Sequence, residues 1–314
     1  MNYVSFFSGD MASQIAQLTS RVRALELRVF SAENLNGRVL QMYTGIPLSS
    51  FTALVSLIDR FELSCYSGTN VFKLTRANQL LLCLTKLKLG VPDDDLAVRF
   101  GISRTTVQNV FMTFLHVLYE LLYEGIMQKM FPKGSYLATE MPESFRSFSS
   151  CKGSIDWSEL EIEIPRSSIV TQSVTFSNYK ARNTLKFLVA VAPNGAIIYT
   201  SGCYLGSTSD REVVKDCGIL DKLTAGDLIL ADKGFAIFDL MPSGTSLNIP
   251  PLRGKRQFTA DEVSYCKKIA TCRVHVERAI QRVKIYRVHK RPLATKLVRV
   301  CSCLANLQSF IIAE

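Results

Sequence analysis

Apolar positions along the chain follow a helical period at first, a strand-like period from about residue 150, and a helical one again at the end. Ile15, Leu18, Val22, Leu25, Val29 and Ala32 recur at alternating steps of three and four. That spacing predicts a helix with an a/d seam over about three heptads, ending near Gly37. Such a seam either pairs with a second copy or lies on its own domain. Helical spacing returns over 48–61 and 75–89, where Thr75 and Asn78 precede the run Gln79–Leu84, a capped and buried helix. After Gly90-Val91-Pro92 comes DDDLAVRFGISRTTVQNVFMTFLHVL, with Ala97, Gly101 and Val107 at spacings of four and six. A helix-turn-helix needs a small residue where its helices cross, a glycine at the left-handed turn and an apolar anchor on the second helix. Asp93 to Asp95 suit the N-terminus of the first helix, and Ser103 caps the second. Arg104, Thr105, Gln108 and Asn109 then face outward, with side chains that bond base edges and phosphates.

From Ser144 the pattern changes. ESFRSFSSCKGS reads as a linker, and SIDWSELEIEIP alternates Leu160, Ile162 and Ile164 against Glu159, Glu161 and Glu163, a strand with one wet face. NTLKFLVAVAPNGAIIYTSGCYL reads as two strands about an Asn194-Gly195 hairpin turn. Next is a helix capped near Ser209 and running to about Leu223. DLILADKGF is a short apolar strand ending in Asp232, and helices close the chain. This order predicts a mixed α/β domain. The division is an amphipathic, coiled-coil-like helix over 1–40, an all-α helix-turn-helix domain over 41–143, and an α/β domain over 144–314.

Composition adds location to this outline. The chain of 314 residues is 47% apolar and 20% charged, ordinary for a globular protein. Its net charge of +10 is concentrated: residues 252–299 hold 14 basic and 3 acidic residues, whereas 1–150 hold 14 and 12. A local excess of that kind is the footprint of a surface that meets a polyanion. Without an amphipathic aromatic face, nucleic acid is the better partner than a membrane. The apolar stretches 111–131 and 188–205 are broken by charges or by Pro193-Asn194-Gly195, so no membrane span is predicted, and no secretory leader is read at the start. Nine cysteines without framework spacing predict free thiols in a reducing compartment. Cys266, Cys272, His275, Cys301 and Cys303 lack paired zinc spacing and read as packed groups.

Three carboxylates occupy unusual positions. Asp156 shares strand parity with Leu160, Ile162 and Ile164, on a face where a carboxylate is costly unless paired or bound to a cation. Asp232 stands at the carboxyl end of an apolar strand, where open α/β sheets place their ligands. Glu277, within RVHVERAIQRVKIYR, is the sole acidic residue between Val263 and Ala313. Each also has a local reading: a strand-edge aspartate, a turn-capping aspartate, and an ion pair with Arg273, Arg278 or Lys284. Together they make a carboxylate set suited to Mg²⁺, which takes one or two such ligands plus phosphate oxygens and water. His275, two positions from Glu277, projects from another side of the helix and reads as structural or DNA-facing. Tyr179 reads as packed in preference to stacked on a flanking base.

The segments LAVRFGISRTTVQNVF, SIDWSELEIEIP, FSNYKARNTLKFLVAVAPNGAI, GSTSDREV, GDLILADKGF and RVHVERAIQRVK occur in that order. They resemble the helix-turn-helix and DDE endonuclease of PIF/Harbinger-like transposases, especially the branch often found behind a THAP-type zinc finger. The resemblance spans about Tyr43 to Phe310. It implies an RNase H-like catalytic domain whose DDE triad falls on Asp156, Asp232 and Glu277. Such enzymes use two Mg²⁺ or Mn²⁺ ions to cut transposon ends and join the freed 3′-OH to target DNA. Lys180, Arg182, Arg253, Lys255 and Arg256 would contact the DNA backbone. Partners implied are double-stranded DNA, in the form of terminal repeats and target, and a second copy of the chain in a homodimer or larger homo-oligomer. The compartment implied in a eukaryote is the nucleus. Trp157 and Ser158 stand where the family usually has Cys and Thr, Ile164 where Arg is common, and Lys233 where Arg is frequent. No THAP-type finger precedes the helical seam, so end recognition falls to the helix-turn-helix or to a separate DNA-binding partner. The competing reading is a domesticated DNA-binding protein that keeps the fold without transposing. A scaffold role has only the heptads behind it.

Overall fold

The computed structural model describes residues 4–26, 29–68, 73–129, 131, 141–166, 168–235, 237–251, 257, 259–287 and 293–309, with side chains of the first segment described from 11 to 22. Helix α1 (Val4–Glu26) presents its seam to solvent: Met11, Ile15, Leu18 and Val22 are 51–62% exposed. The helix is described to Glu26 and residues 29–36 are not helical, so it does not reach Gly37, and the side chain of Leu25 lies outside the described residues. Residues 30–36 are tied to the helical region instead. Phe30 meets Tyr43 and Phe100 edge-on at 4.8 and 5.2 Å, and the Ala32 N–H donates to Asn78 Oδ1 at 2.8 Å. Asn36 then accepts from the Val39 N–H and opens a new helix, so the heptad pattern does not run through.

That new helix is α2 (Gly37–Thr44), followed by α3 (Leu48–Ile58), α4 (Arg76–Leu89), α5 (Asp93–Phe100) and α6 (Arg104–Leu118). Thr75 and Ser103 cap α4 and α6 through the Asn78 and Thr106 N–H groups, as their positions predict. Gly101 takes the left-handed φ of 61° that the helix-turn-helix turn requires. Helix α4 is buried nearly all round, with Leu80, Leu81, Leu82, Leu84 and Leu87 wholly inaccessible. Truncating one of these to alanine costs about 2–5 kcal/mol. The run Arg104–Lys129, which includes α6 and a π-helical turn at Tyr119–Glu124, is long and apolar enough to cross a membrane. Its Val107, Val110, Phe111, Phe114, Leu115 and Leu118 nevertheless fill the core, the pattern of a central helix.

The second half is built on a mixed sheet. Its strands are β1 (Cys151–Glu161), β2 (Phe176–Ser177), β3 (Arg182–Val191), β4 (Ile197–Thr200), β5 (Tyr204–Leu205), β6 (Leu228–Leu230) and β7 (Ser246–Asn248). They lie in the order β2-β3-β1-β6-β7, with β4 and β5 also on β3. Strand β1 is antiparallel to β3 and parallel to β6, which is parallel to β7. The β3–β4 hairpin turns at Asn194-Gly195, with Gly195 at φ 86°. Strand β1 ends at Glu161 and leaves Ile164 65% exposed, not on the apolar face as the alternation predicts. The last bond is Ile162 N–H to Asn183 O, one residue from the start of β3, so no partner strand extends far enough.

Helices complete the layers: α7 (Ile169–Thr175), α8 (Asp210–Asp216), α9 (Ala260–Lys284) and α10 (Ala294–Asn306). Helix α7 is one that the apolar pattern does not predict, and Ser168 caps it through the Thr171 N–H. Helix α8 starts at the expected Ser209 cap but ends short of Leu223, because Gly218 takes φ 79° and turns the chain away. One sheet face holds Ile155, Leu188, Ala190 and Ile229 under Val214 of α8. The other holds Phe187, Val189 and Val191 under Val276, Ala279, Ile280 and Val283 of α9, in a cluster continuous with α2–α6. The end of α9 seals this junction: the Arg287 N–H donates to Leu87 O at 2.8 Å. Gly90 permits that approach, since a Cβ there would stand 2.9 Å from the Arg287 carbonyl oxygen.

Candidate active site

Asp156 sits mid-strand on β1 opposite Val189, which places it on the face that α9 covers. Its Oδ1 accepts the Trp157 N–H at 2.8 Å. Burial pushes the carboxyl above the usual aspartate range. The Trp157 N–H and the Arg273 charge pull it down, while Asp232 and Glu277 add to the rise. Asp232 lies two residues beyond β6, its Oδ1 accepting the Lys233 N–H at 2.8 Å. Helix α9, fixed by a capping box between Thr259 and Glu262, buries Ile269, Cys272, Val276, Ala279 and Val283 and leaves Glu277 at the edge of that stripe. All three carboxylates line one open cleft of about 620 Å³.

Cations ring the same cleft. Arg273, one helical turn before Glu277, donates from Nη1 to Asp232 Oδ1 at 3.2 Å. Glu277 itself makes no ion pair or hydrogen bond among the described residues, so the local reading that paired it with Arg273, Arg278 or Lys284 does not hold. Lys186 donates to Asp210 Oδ1 at 2.8 Å and to the Thr208 carbonyl at 3.1 Å, and its Nζ lies 5.9 Å from the Trp157 ring centroid. Trp157 stacks on Phe235 with centroids 5.3 Å apart. Lys180 and Lys284 line the remaining wall, and burial, then Lys180, push the Lys284 ammonium down.

Among the described residues, no three His, Cys, Asp or Glu side chains stand close enough together to hold an ion as placed. The donor chemistry fits a hard divalent cation all the same. The groups are carboxylate oxygens with no thiolate or imidazole among them, they share one cleft, and one is raised partly by the charges of the other two.

Residues 155–307 match the family model described as DDE superfamily endonuclease, and residues 72–124 that described as helix-turn-helix of DDE superfamily endonuclease. Two segments of the chain, in this order, are thus similar to the helix-turn-helix and to the endonuclease domain of DDE superfamily endonucleases. No curated protein and no solved structure matches it. Asp156, Asp232 and Glu277 all fall inside the endonuclease match, and α4–α6 inside the helix-turn-helix match.

The other predicted site residues divide. Arg104 is exposed and pairs with Asp94 at 3.4 Å, and the exposed Thr105 hydroxyl bonds Ser103 Oγ at 2.9 Å. Gln108 donates to Asp93 Oδ2 at 3.0 Å, and the half-buried Asn109 accepts the Ser67 N–H at 2.9 Å. These two brace the motif as well as marking its outer face. Lys180 reaches the carboxylate cleft; Arg182 does not line it and holds both oxygens of Glu161 at 2.7 Å. Arg253, Lys255 and Arg256 lie outside the described residues. His275 is buried and stacked on Phe145 at 5.9 Å, in keeping with its structural reading. The cysteines are all free thiols.

Tyr179 contradicts its packed reading: it is 84% exposed and lines the cleft. Its turn includes Ala181 at φ 52°, a left-handed conformation that costs a side-chain-bearing residue about 1–2 kcal/mol. Sequence reasoning also missed Arg273, Lys186, Lys284 and Trp157 as cleft residues. Helical periodicity carried part of that signal, since Arg273 and Lys284 stand four before and seven after Glu277 on one face.

Proposed function

We propose that the chain is a DNA transposase that cuts transposon ends and joins the freed 3′-OH to target DNA, with Asp156, Asp232 and Glu277 as its DDE triad. The observation that carries this reading is the convergence of three carboxylates from distant segments on one cleft within the endonuclease match. Asp156, Asp232 and Glu277 would hold two Mg²⁺ or Mn²⁺ ions. Bound there, such ions supply Lewis acidity for an in-line phosphoryl displacement. Lys180, Lys186 and Lys284 hold the phosphodiester backbone against the acidic floor, and Arg273 orients Asp232. The flanking strand order, antiparallel on one side of β1 and parallel on the other, supports the RNase H-like reading. The ordered run of motifs supports the PIF/Harbinger branch. The solvent-facing seam of α1 supports pairing of two copies, and a transposase of this kind works in the nucleus of a eukaryote.

A second reading, a transposase-derived DNA-binding protein with little or no transposition, is favoured by Arg273 engaging Asp232, which occupies an oxygen an ion would use. Labelled terminal-repeat DNA incubated in Mg²⁺ or Mn²⁺ with wild type, Asp232→Ala and Glu277→Ala separates the two. Wild-type cleavage lost in both variants supports the transposase. Cleavage surviving both removes the triad, and binding without cleavage in wild type selects the second reading.

A further inference from the structure

Tyr179 and Lys180 occupy the turn that joins β2 to β3, and both face the carboxylate cleft. An aromatic ring of this size normally finds apolar cover, yet Tyr179 is 84% exposed. Lys180 Nζ lies 4.7 Å from its ring centroid, so a cation accompanies the ring. The turn is braced. The Lys180 N–H donates to Ser177 Oγ at 3.3 Å, and Phe176 and Ser177 pair with Asn183 and Arg182. Ala181 is held in left-handed backbone, φ 52°, a strain that structures keep where the surroundings impose it and that clusters at ligand clamps.

A bare ring carried on a braced turn at a basic and acidic cleft fits a flat ligand that carries its own negative charge. A nucleobase on a phosphodiester chain has both properties. Paired bases hide their faces inside the duplex stack, whereas an unpaired base offers one. We infer that Tyr179 is a stacking platform for an unpaired nucleobase of the DNA strand held in the cleft, with Lys180 on an adjoining phosphate. The inference rests on the nuclease reading for why a strand enters there. Stacking is tolerant of base identity, so the platform senses that a base is unpaired and not which base it is. It thereby places an opening of the duplex beside the cut.

The test uses the full chain, Ca²⁺, and two fluorescein-labelled probes of about 12 nucleotides, oligothymidylate and the same backbone with abasic spacers. Tyr179→Ala weakens binding to oligothymidylate about fivefold or more, the loss of one base–aromatic stack, and leaves the abasic probe unchanged. Tyr179→Phe keeps the affinity, and Lys180→Ala weakens both probes alike. Equal losses on the two probes, or no loss on either, overturn the inference; a retained circular dichroism spectrum excludes misfolding as the cause. Mn²⁺-dependent plasmid nicking by the same preparations reports separately on the nuclease reading. Base discrimination without nicking removes that reading and leaves the platform. Nicking without base discrimination removes the platform and leaves the nuclease.

Discussion

At the head of α5, Asp93, Asp94 and Asp95 meet a helix N-terminus and a cation each: Lys86, Arg104 and Arg99. In the cleft, Asp156, Asp232 and Glu277 face one another's charges, and Arg273 pairs with Asp232 alone of the three. The first trio is consecutive in sequence and neutralised where it stands. The second is assembled from positions 156, 232 and 277, and the charges of Asp232 and Glu277 add to the cost of ionising Asp156. Acids that a fold collects from far apart and leaves under-neutralised are the ones to expect in chemistry, since a site tuned for a cation is strained without one.

The contrast is broken most severely at Asp93. Asp93→Ala breaks its buried ion pair with Lys86 and lowers the unfolding free energy by about 3–5 kcal/mol, measurable by urea melts. The cleft acids behave in the opposite way. Asp156→Asn, Asp232→Asn and Glu277→Gln each cut Mn²⁺-dependent nicking by about 10²–10³-fold with the fold retained. Asp156→Asn also melts higher than wild type at neutral pH in chelator. The folded state holds the Asp156 proton more tightly than the unfolded chain does. Its stability is therefore full below the ordinary value of 3.8 and is lost as pH rises through the raised folded value. A neutral amide removes that loss, so the gain over wild type vanishes in acid.

A smaller effect belongs to the histidines. Burial, then Lys296 for His116 and Arg278 for His275, pushes both below 6.5. The unfolded chain then takes up protons first on acidification. Stability is full above pH 6.5 and falls below it, and His116→Gln with His275→Gln flattens that limb of the melting curve. Smallest is Asp94→Ala, which breaks an exposed pair with Arg104 and shifts stability by no more than about 0.5 kcal/mol.

Legibility in the sequence divides in the same way, between near and far. Caps at Thr75, Ser103 and Ser209, the Gly101 turn and the Asn194-Gly195 hairpin act within a few residues, and each stands where its local chemistry predicts. Strand parity alone put Asp156 on the face that α9 covers. Long-range choices were not legible. Arg273 has Glu277 one turn away and bonds Asp232 instead, 41 residues distant. Ile164 keeps the alternation but has lost its partner strand. The heptads of α1 specify a helix and not what covers it, and Tyr179 looks like any core tyrosine until the strand it precedes is placed at the cleft.

The claim that the three cleft acids hold the ions is tested most directly by counting bound Mn²⁺ on the DNA-bound full chain by electron paramagnetic resonance. Wild type is predicted to take up two ions, and Asp156→Asn, Asp232→Asn and Glu277→Gln each to bind them about 10–100-fold more weakly, while Asp94→Ala binds as wild type does. Equal Mn²⁺ binding by wild type and all three cleft variants would contradict the account.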